Sequence, residues 1–278
     1  MHAPRLRRAP SDGHSPASPP ISEPQLELSS DPVFYVVGTI AVIIVGLGKG
    51  GFTGLGLLST PLLALYLPPV QAAAVMMPIL VVQDVLSVWV FRKSFDKRST
   101  VIIVTGGLAG VAVGWVLASA VPEAFVRLTM GLVAVVFVLL YWKRRHGTAE
   151  HGKPAGIPGG LFWGAVAGYT SFVAHAGAPP VQVYLMPQRL PPQIYAGTST
   201  MFFAAVNAFK FVAYIHLGQF TPTNIGLSAV MLPIAVASTF AGVWLVRRVD
   251  AARFYDLIYG LTLLIGLKLA YDGIVELL

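Results

Sequence analysis

A few polar side chains lie inside long apolar runs, and their types suit the handling of an anion. Asp84 is the one acid well inside such a run, Lys49 stands in the glycine-rich stretch GLGKGGFTGLG, and Lys210 stands within the run 194–216. A charge at the centre of a bilayer costs at least ~2.5–3.5 kcal/mol on insertion scales, so such a residue faces a cavity or a partner. Asn207 and Lys210 are three positions apart and share a helix face, which Thr200, Phe203 and Tyr214 also join. A stripe of hydroxyl, amide and ammonium groups can hold an anion, and interhelical hydrogen bonding is the alternative use of the same stripe. Asp84 has two readings as well: a proton carrier in coupled transport, or a fixed counter-ion to Lys210.

Glycines interrupt the apolar pattern twice, from Gly46 to Gly56 and from Gly168 to Pro180. A helix broken there leaves free N–H groups at the start of its second half, and those groups with the helix dipole favour an anion. Gly48, Gly50, Gly51 and Gly54 permit close backbone approach, and Lys49 adds a full positive charge. In the second stretch His175 precedes Gly177, and Pro179 and Pro180 begin the next half-helix, where a missing N–H costs nothing. The expected substrate-binding set is Lys49, Gly50, Gly51, His175, Gly177, Thr200, Asn207 and Lys210, with Asp84 as the candidate for proton coupling. Tight helix packing is the other use of glycines in a membrane, and a satisfied polar contact is the other use of His175. GLGKGG is not a phosphate-binding loop, because no Ser or Thr follows its lysine and no strand precedes it.

These residues stand in a duplicated frame. Leu67-Pro68-Pro69 leads into an apolar helix holding Asp84, and Leu190-Pro191-Pro192 leads, at the same spacing, into one holding Asn207. Phe125 precedes Gly131-Leu132 as Phe254 precedes Gly260-Leu261. Duplicated halves with interrupted helices are a common way to build a transport site in a membrane.

Composition places the chain in a bilayer. It is 55% hydrophobic and 11% charged, against about 25% charged in a soluble domain. The apolar runs suit helices, which need about 20 residues to cross, whereas a β-barrel would show short alternating segments. The net charge of +7 comes from Lys and Arg in short loops at helix ends, the pattern of cytoplasmic loops, and this excludes nucleic acid as a partner. With no cysteine there is no disulfide, thiolate metal site or cysteine nucleophile, and no cofactor or metal is expected.

Apolar runs between breakers fall into two sets of five, roughly 33–47, 52–66, 72–92, 99–120 and 124–142, then 158–172, 177–188, 194–216, 223–246 and 254–274. The first two members of each set are short and read as a hairpin of half-helices. The expected fold is therefore an all-α integral membrane protein of two inverted repeats, each a broken-helix hairpin followed by three transmembrane helices. Repeat 1 covers 33–142 and repeat 2 covers 158–278. A polar, Pro- and Ser-rich tail over 1–32 reads as disordered and lacks the apolar segment of a signal peptide. A basic linker, 143–157, reads as cytoplasmic, as does the loop Arg92-Lys93 to Lys97-Arg98. In the second half the basic loop, Arg247-Arg248 to Arg253, has moved by one span, as an odd number of crossings per repeat would produce. Both termini then lie in the periplasm, and Trp89, Trp142, Trp163 and Trp244 mark the cytoplasmic interface.

The matching stretches GLGKGGFTGLGLLSTPLLAL, PPVQAAAVMMPILVVQDV, TSFVAHAGAPPVQVYLMPQRLPP and AGTSTMFFAAVNAFKFVAY resemble the sulfite exporter TauE/SafE family over nearly everything after the tail. The resemblance implies a multi-pass transporter of the bacterial inner membrane that moves small anions, often sulfur compounds such as sulfite, sulfoacetate or other organosulfonates. The expected function is secondary transport by alternating access, with a small anion and the lipid bilayer as partners and a homo-oligomer compatible with the chain. Two rivals remain: a passive anion channel, and a membrane-embedded enzyme, for which Ser171 and His175, four apart, form the one nucleophile–base pair worth naming.

Overall fold

In the computed structural model, residues 32–50, 55–117, 122–145, 156–188, 190–245 and 251–278 are described. Most of the tail, Gly51, Gly54, most of the basic linker, and Arg247 with Arg248 lie outside them.

Among the described residues the chain is helical. The first half forms α1 (Pro32–Lys49), a 3₁₀ turn (Leu55–Leu58) running into α2 (Ser59–Ala64), α3 (Pro69–Phe91), α4 (Lys97–Leu117) and α5 (Glu123–Arg145). The second half forms α6 (Ile157–Ala174), α7 (Ala178–Leu185) with a 3₁₀ turn (Met186–Gln188), α8 (Pro192–His216), α9 (Pro222–Leu245) and α10 (Ala251–Leu277). Five of these helices are long and apolar enough to cross a membrane by length and composition. Val85, Val116, Val230 and Leu264 point outward and are exposed, which suits lipid rather than water. The chain is a multi-pass membrane protein.

Local chemistry sets the helix ends. The double prolines act alike in both halves: Pro68 and Pro191 take the extended cap conformation, and the following Pro sits at the first helical position of α3 and α8. Asp96 caps α4 by accepting the Ser99 N–H at 2.7 Å, and the Asp96 N–H donates in turn to the Thr198 hydroxyl at 2.9 Å on α8. One expectation needs correction. The first member of each set is not a half-helix, because α1 and α6 each have 18 residues, about 27 Å at 1.5 Å per residue. Glycine inside a helix costs only about 1 kcal/mol, so Gly46 and Gly48 do not break α1, which runs on to Lys49. Only α2 and α7 are short.

Packing follows the duplication. α1 lies on α9 and α4 lies on α6, so the first helix of each half meets the fourth of the other. α3 meets α8, α5 meets α10, α3 meets α9 and α4 meets α8. Exchanging the two halves maps this set of contacts onto itself, as a two-fold relation between repeats requires. Small residues allow the approach: a Cβ at Gly110 would fall on the Ala165 carbonyl, one at Gly168 on the Gly107 carbonyl, and one at Gly131 on the Ala270 backbone. Membrane helices gain little from hydrophobicity against each other, so such close backbone contact supplies much of the adhesion.

Gly110→Leu or Gly168→Leu should therefore cost about 3 kcal/mol by overpacking at a contact that cannot recede. Gly159→Leu on the same helix, where nothing lies within 4 Å, should leave stability unchanged. Thermal melts of the detergent-purified variants, followed by loss of the monodisperse peak, would separate the two outcomes.

Candidate functional site

The buried charges gather where α3 and α8 cross. Asp84 of α3 is 4% exposed and receives two donors from different elements. The Lys49 ammonium, at the last residue of α1, pairs with Oδ1. Asn207 Nδ2 of α8 donates to Oδ2 at 2.6 Å. Asp84 and Asn207 follow their double prolines at the same spacing, and the hydrogen bond between them joins the two halves of the chain. The alternative reading of Asp84, a counter-ion to Lys210, is not the pairing found: Lys49 takes that place, because it ends α1 beside α3 while Lys210 turns toward α6.

Lys210 is fully buried. Its ammonium donates to the Ser171 carbonyl at 2.6 Å and contacts the Ser171 hydroxyl at 3.2 Å. Ser171 lies in the last turn of α6, so a cation there meets the negative end of the helix dipole. Three residues beyond Asp84, Ser87 sits where Lys210 sits in the other half, and its hydroxyl donates to the Gln83 carbonyl of its own helix at 2.8 Å, with the Lys49 carbonyl farther off at 3.4 Å. Position 210 thus ties α8 to the end of α6 with a charge, whereas position 87 turns back onto α3.

A cavity of about 80 Å³ lies between the two helix breaks and α8. A water needs about 10–15 Å³ on this measure, so the space suits a few waters or one small anion. Of the sequence-derived set, Lys49, His175, Thr200 and Asn207 line it. Gly50, Gly177 and Lys210 do not. Gly50 is pressed against α9, where a Cβ would meet the Val243 nitrogen at 2.5 Å and the Gly242 backbone at 2.6 Å. Gly177 is packed under Ser171 and Phe203, with the Ala167 carbonyl 2.8 Å from its would-be Cβ. Lys49 presents its ammonium to the cavity with the Phe203 ring centroid 5.1 Å away, a cation–π contact.

His175 ends α6 in the left-handed region, φ 52° and ψ 24°, the one non-glycine residue with positive φ among the described residues. Such backbone costs an L-residue roughly 1–2 kcal/mol. Both ring nitrogens are buried with no hydrogen-bond partner among the described residues. Strain and unmet polar capacity coincide at one cavity-lining side chain, the pattern of a position kept for a ligand. Ser199 adds a buried hydroxyl on the same wall with no partner among the described residues. It is absent from the sequence-derived set, although Tyr195, Ser199, Phe203 and Asn207 recur every fourth residue along α8 and all line the cavity. Ser171 and His175 are not hydrogen-bonded through their side chains, so the nucleophile–base pair named from the sequence is not formed. Among the described residues no group of three or more His, Cys, Asp and Glu could hold a metal ion.

The family model described as Sulfite exporter TauE/SafE matches residues 38–269, which is most of the chain. No match was found among curated proteins or among solved structures.

Two outcomes are expected from these contacts. Lys49→Met or Asp84→Asn alone should destabilise the protein by about 3 kcal/mol, since each leaves a buried partner unpaired, while Lys49→Met with Asp84→Asn, which keeps an acceptor for Asn207, should recover most of the loss. Melting curves of the three variants test the coupling. His175→Gly should raise stability by up to about 1 kcal/mol by relieving the backbone, yet weaken anion binding measured by calorimetry.

Proposed function

The chain belongs to the sulfite exporter TauE/SafE family, and on that premise we propose that it is a secondary transporter of a small anion, sulfite or an organosulfonate or related sulfur compound, across the bacterial inner membrane. The observation that carries the reading is the cavity at the two helix breaks, with the Lys49 ammonium on its wall. Around it stand two groups without hydrogen-bond partners among the described residues, the His175 ring and the Ser199 hydroxyl, beside Thr200 and Asn207. An oxyanion accepts several hydrogen bonds and needs positive charge, and this wall supplies both.

The mechanism follows from competition. Lys49 already holds the Asp84 carboxylate, so an incoming anion displaces that carboxylate or shares the ammonium with it. The carboxylate so displaced is the group proposed to carry the coupled proton. Anion binding and protonation of Asp84 are thereby linked, which makes Asp84 the coupling residue and Asn207 Nδ2 the group that orients it. The two repeats are inverted in this scheme. Its supports are the exchange of contacts between halves and the one-span shift of the basic loop. Rocking of one repeat against the other then exposes the central site to each side in turn. The alternating motion distinguishes this reading from a passive channel, and concentrative uptake distinguishes them in the laboratory.

Proteoliposome uptake of labelled sulfite and organosulfonates is the test. Lys49→Ala should lower uptake at least about tenfold, the loss of one charge-assisted contact. Asp84→Asn should abolish accumulation driven by a pH gradient while leaving anion exchange at equal pH. Normal uptake in Lys49→Ala removes the anion site, and unaltered gradient-driven uptake in Asp84→Asn removes the coupling role.

A further inference from the structure

A second cavity, of about 200 Å³, lies farther along α8 and is lined by Val70, Gly114, Tyr169, Phe172, Tyr214 and Gln219 among others. On α8 the first cavity uses residues from Tyr195 to Asn207, and the second begins at Tyr214. The gap of seven residues is about 10 Å of helix, and Lys210 sits inside it. On α6 the two spaces touch neighbouring residues, since Ser171 lines the first and Phe172 the second. The end of α6 stands in the wall between them.

That wall is closed by two bonds from α8 to consecutive carbonyls of α6. Lys210 Nζ donates to the Ser171 carbonyl at 2.6 Å, and the Tyr214 hydroxyl donates to the Phe172 carbonyl at 3.2 Å. The Phe172 and Tyr214 rings meet edge to face at 5.7 Å, and Tyr214 also faces the His175 ring at 6.3 Å. The far end of α8 is held in place by Gly218, whose positive φ lets Gln219 N–H reach back to the Tyr214 carbonyl at 3.0 Å. Both closing bonds sit in the last turn of α6, beside the strained His175.

We propose that the second cavity is the opposite mouth of the anion route and that Lys210 and Tyr214 are the latch between it and the first. The proposal rests on the transporter reading and adds its gate. Among the described residues Lys210 contacts no carboxylate; only neutral oxygens of Ser171 face its ammonium. An anion entering from the second cavity offers that ammonium a full negative charge in place of a carbonyl, so the arriving substrate itself competes with the bond that keeps the wall shut. In the first half the equivalent Ser87 is uncharged and can make no such exchange. The latch is therefore a property of the second repeat alone. The alternative role for the same contacts is a permanent cap on α6, which would not move with substrate.

The chain has no cysteine, so an introduced thiol is unique. Ser199→Cys places one in the first cavity and Gln219→Cys places one in the second. A membrane-impermeant, negatively charged methanethiosulfonate is applied to either face of proteoliposomes, with and without sulfoacetate, which unlike sulfite does not cleave the reagent. The two thiols should react from opposite faces. Adding Tyr214→Phe should raise the reaction of the Ser199→Cys thiol from the Gln219 face roughly five- to tenfold, the effect of one lost hydrogen bond on a two-state wall. Sulfoacetate should raise it too, in the Ser199→Cys protein without the second substitution. Lys210→Met should raise it further, and if that variant does not fold, Tyr214→Phe, which loses one hydroxyl, still decides. Labelling of both thiols from one face, or a far-face rate indifferent to Tyr214→Phe, overturns the latch. The rates in Tyr214→Phe require no transported substrate, so they can uphold the latch even where sulfite uptake fails, and uptake can persist where the latch is refuted.

Discussion

The structure turns on one buried carboxylate. Asp84 lies deep in an apolar bundle, and both of its oxygens must be met by donors brought there by other elements. Lys49 comes from the end of α1 and Asn207 from the centre of α8, so the ion cluster ties the first hairpin to both central helices. The pair Asp84 and Asn207 also shows how a duplicated fold treats matching positions that meet. Two carboxylates facing each other there would repel in a medium that screens little, and a carboxylate facing an amide donor does not. The repeats had to diverge at this position for the centre to carry charge.

Divergence continues one turn farther along. Position 210 fastens α8 to the end of α6 with an ammonium, while the equivalent Ser87 turns its hydroxyl back onto its own helix. The duplicated frame supplies equal geometry and the side chains make it electrically unequal. Positive charge thus stands on both sides of the central carboxylate, one cation paired and facing the cavity, the other buried against a helix end.

Glycine does two different jobs that look alike in sequence. In α4 and α6, and where Gly50 meets α9, it removes side chains so that backbones can touch. That contact holds the outer helices of one half against the first helix of the other. The actual end of α6 is made by a histidine instead, held in a left-handed conformation with its ring on the cavity wall. A glycine there would be easier on the backbone, so the retained imidazole is the informative departure from the local rule.

Composition and apolar run length were enough to read a helical membrane protein, and the helices begin and end within a few residues of the runs because Pro-Pro starts and polar breaks act locally. The motifs carrying the family resemblance were equally legible, and the family match covers most of the chain. Partner choice was not. Asp84 could reach Lys210 as easily as Lys49 when judged by spacing alone, and the glycines near Lys49 could line a site or pack a helix. Those alternatives differ only in which face of α1 meets α3 and which way the end of α6 points. Spacing along a helix fixes a residue's angle about its own axis, but the direction of its neighbours is set by contacts between segments 35 or more residues apart. For that reason the sequence alone determined the helices and their polar stripe, while only the tertiary structure decided that Lys49 faces the cavity, Lys210 the end of α6, and Gly50 the backbone of α9.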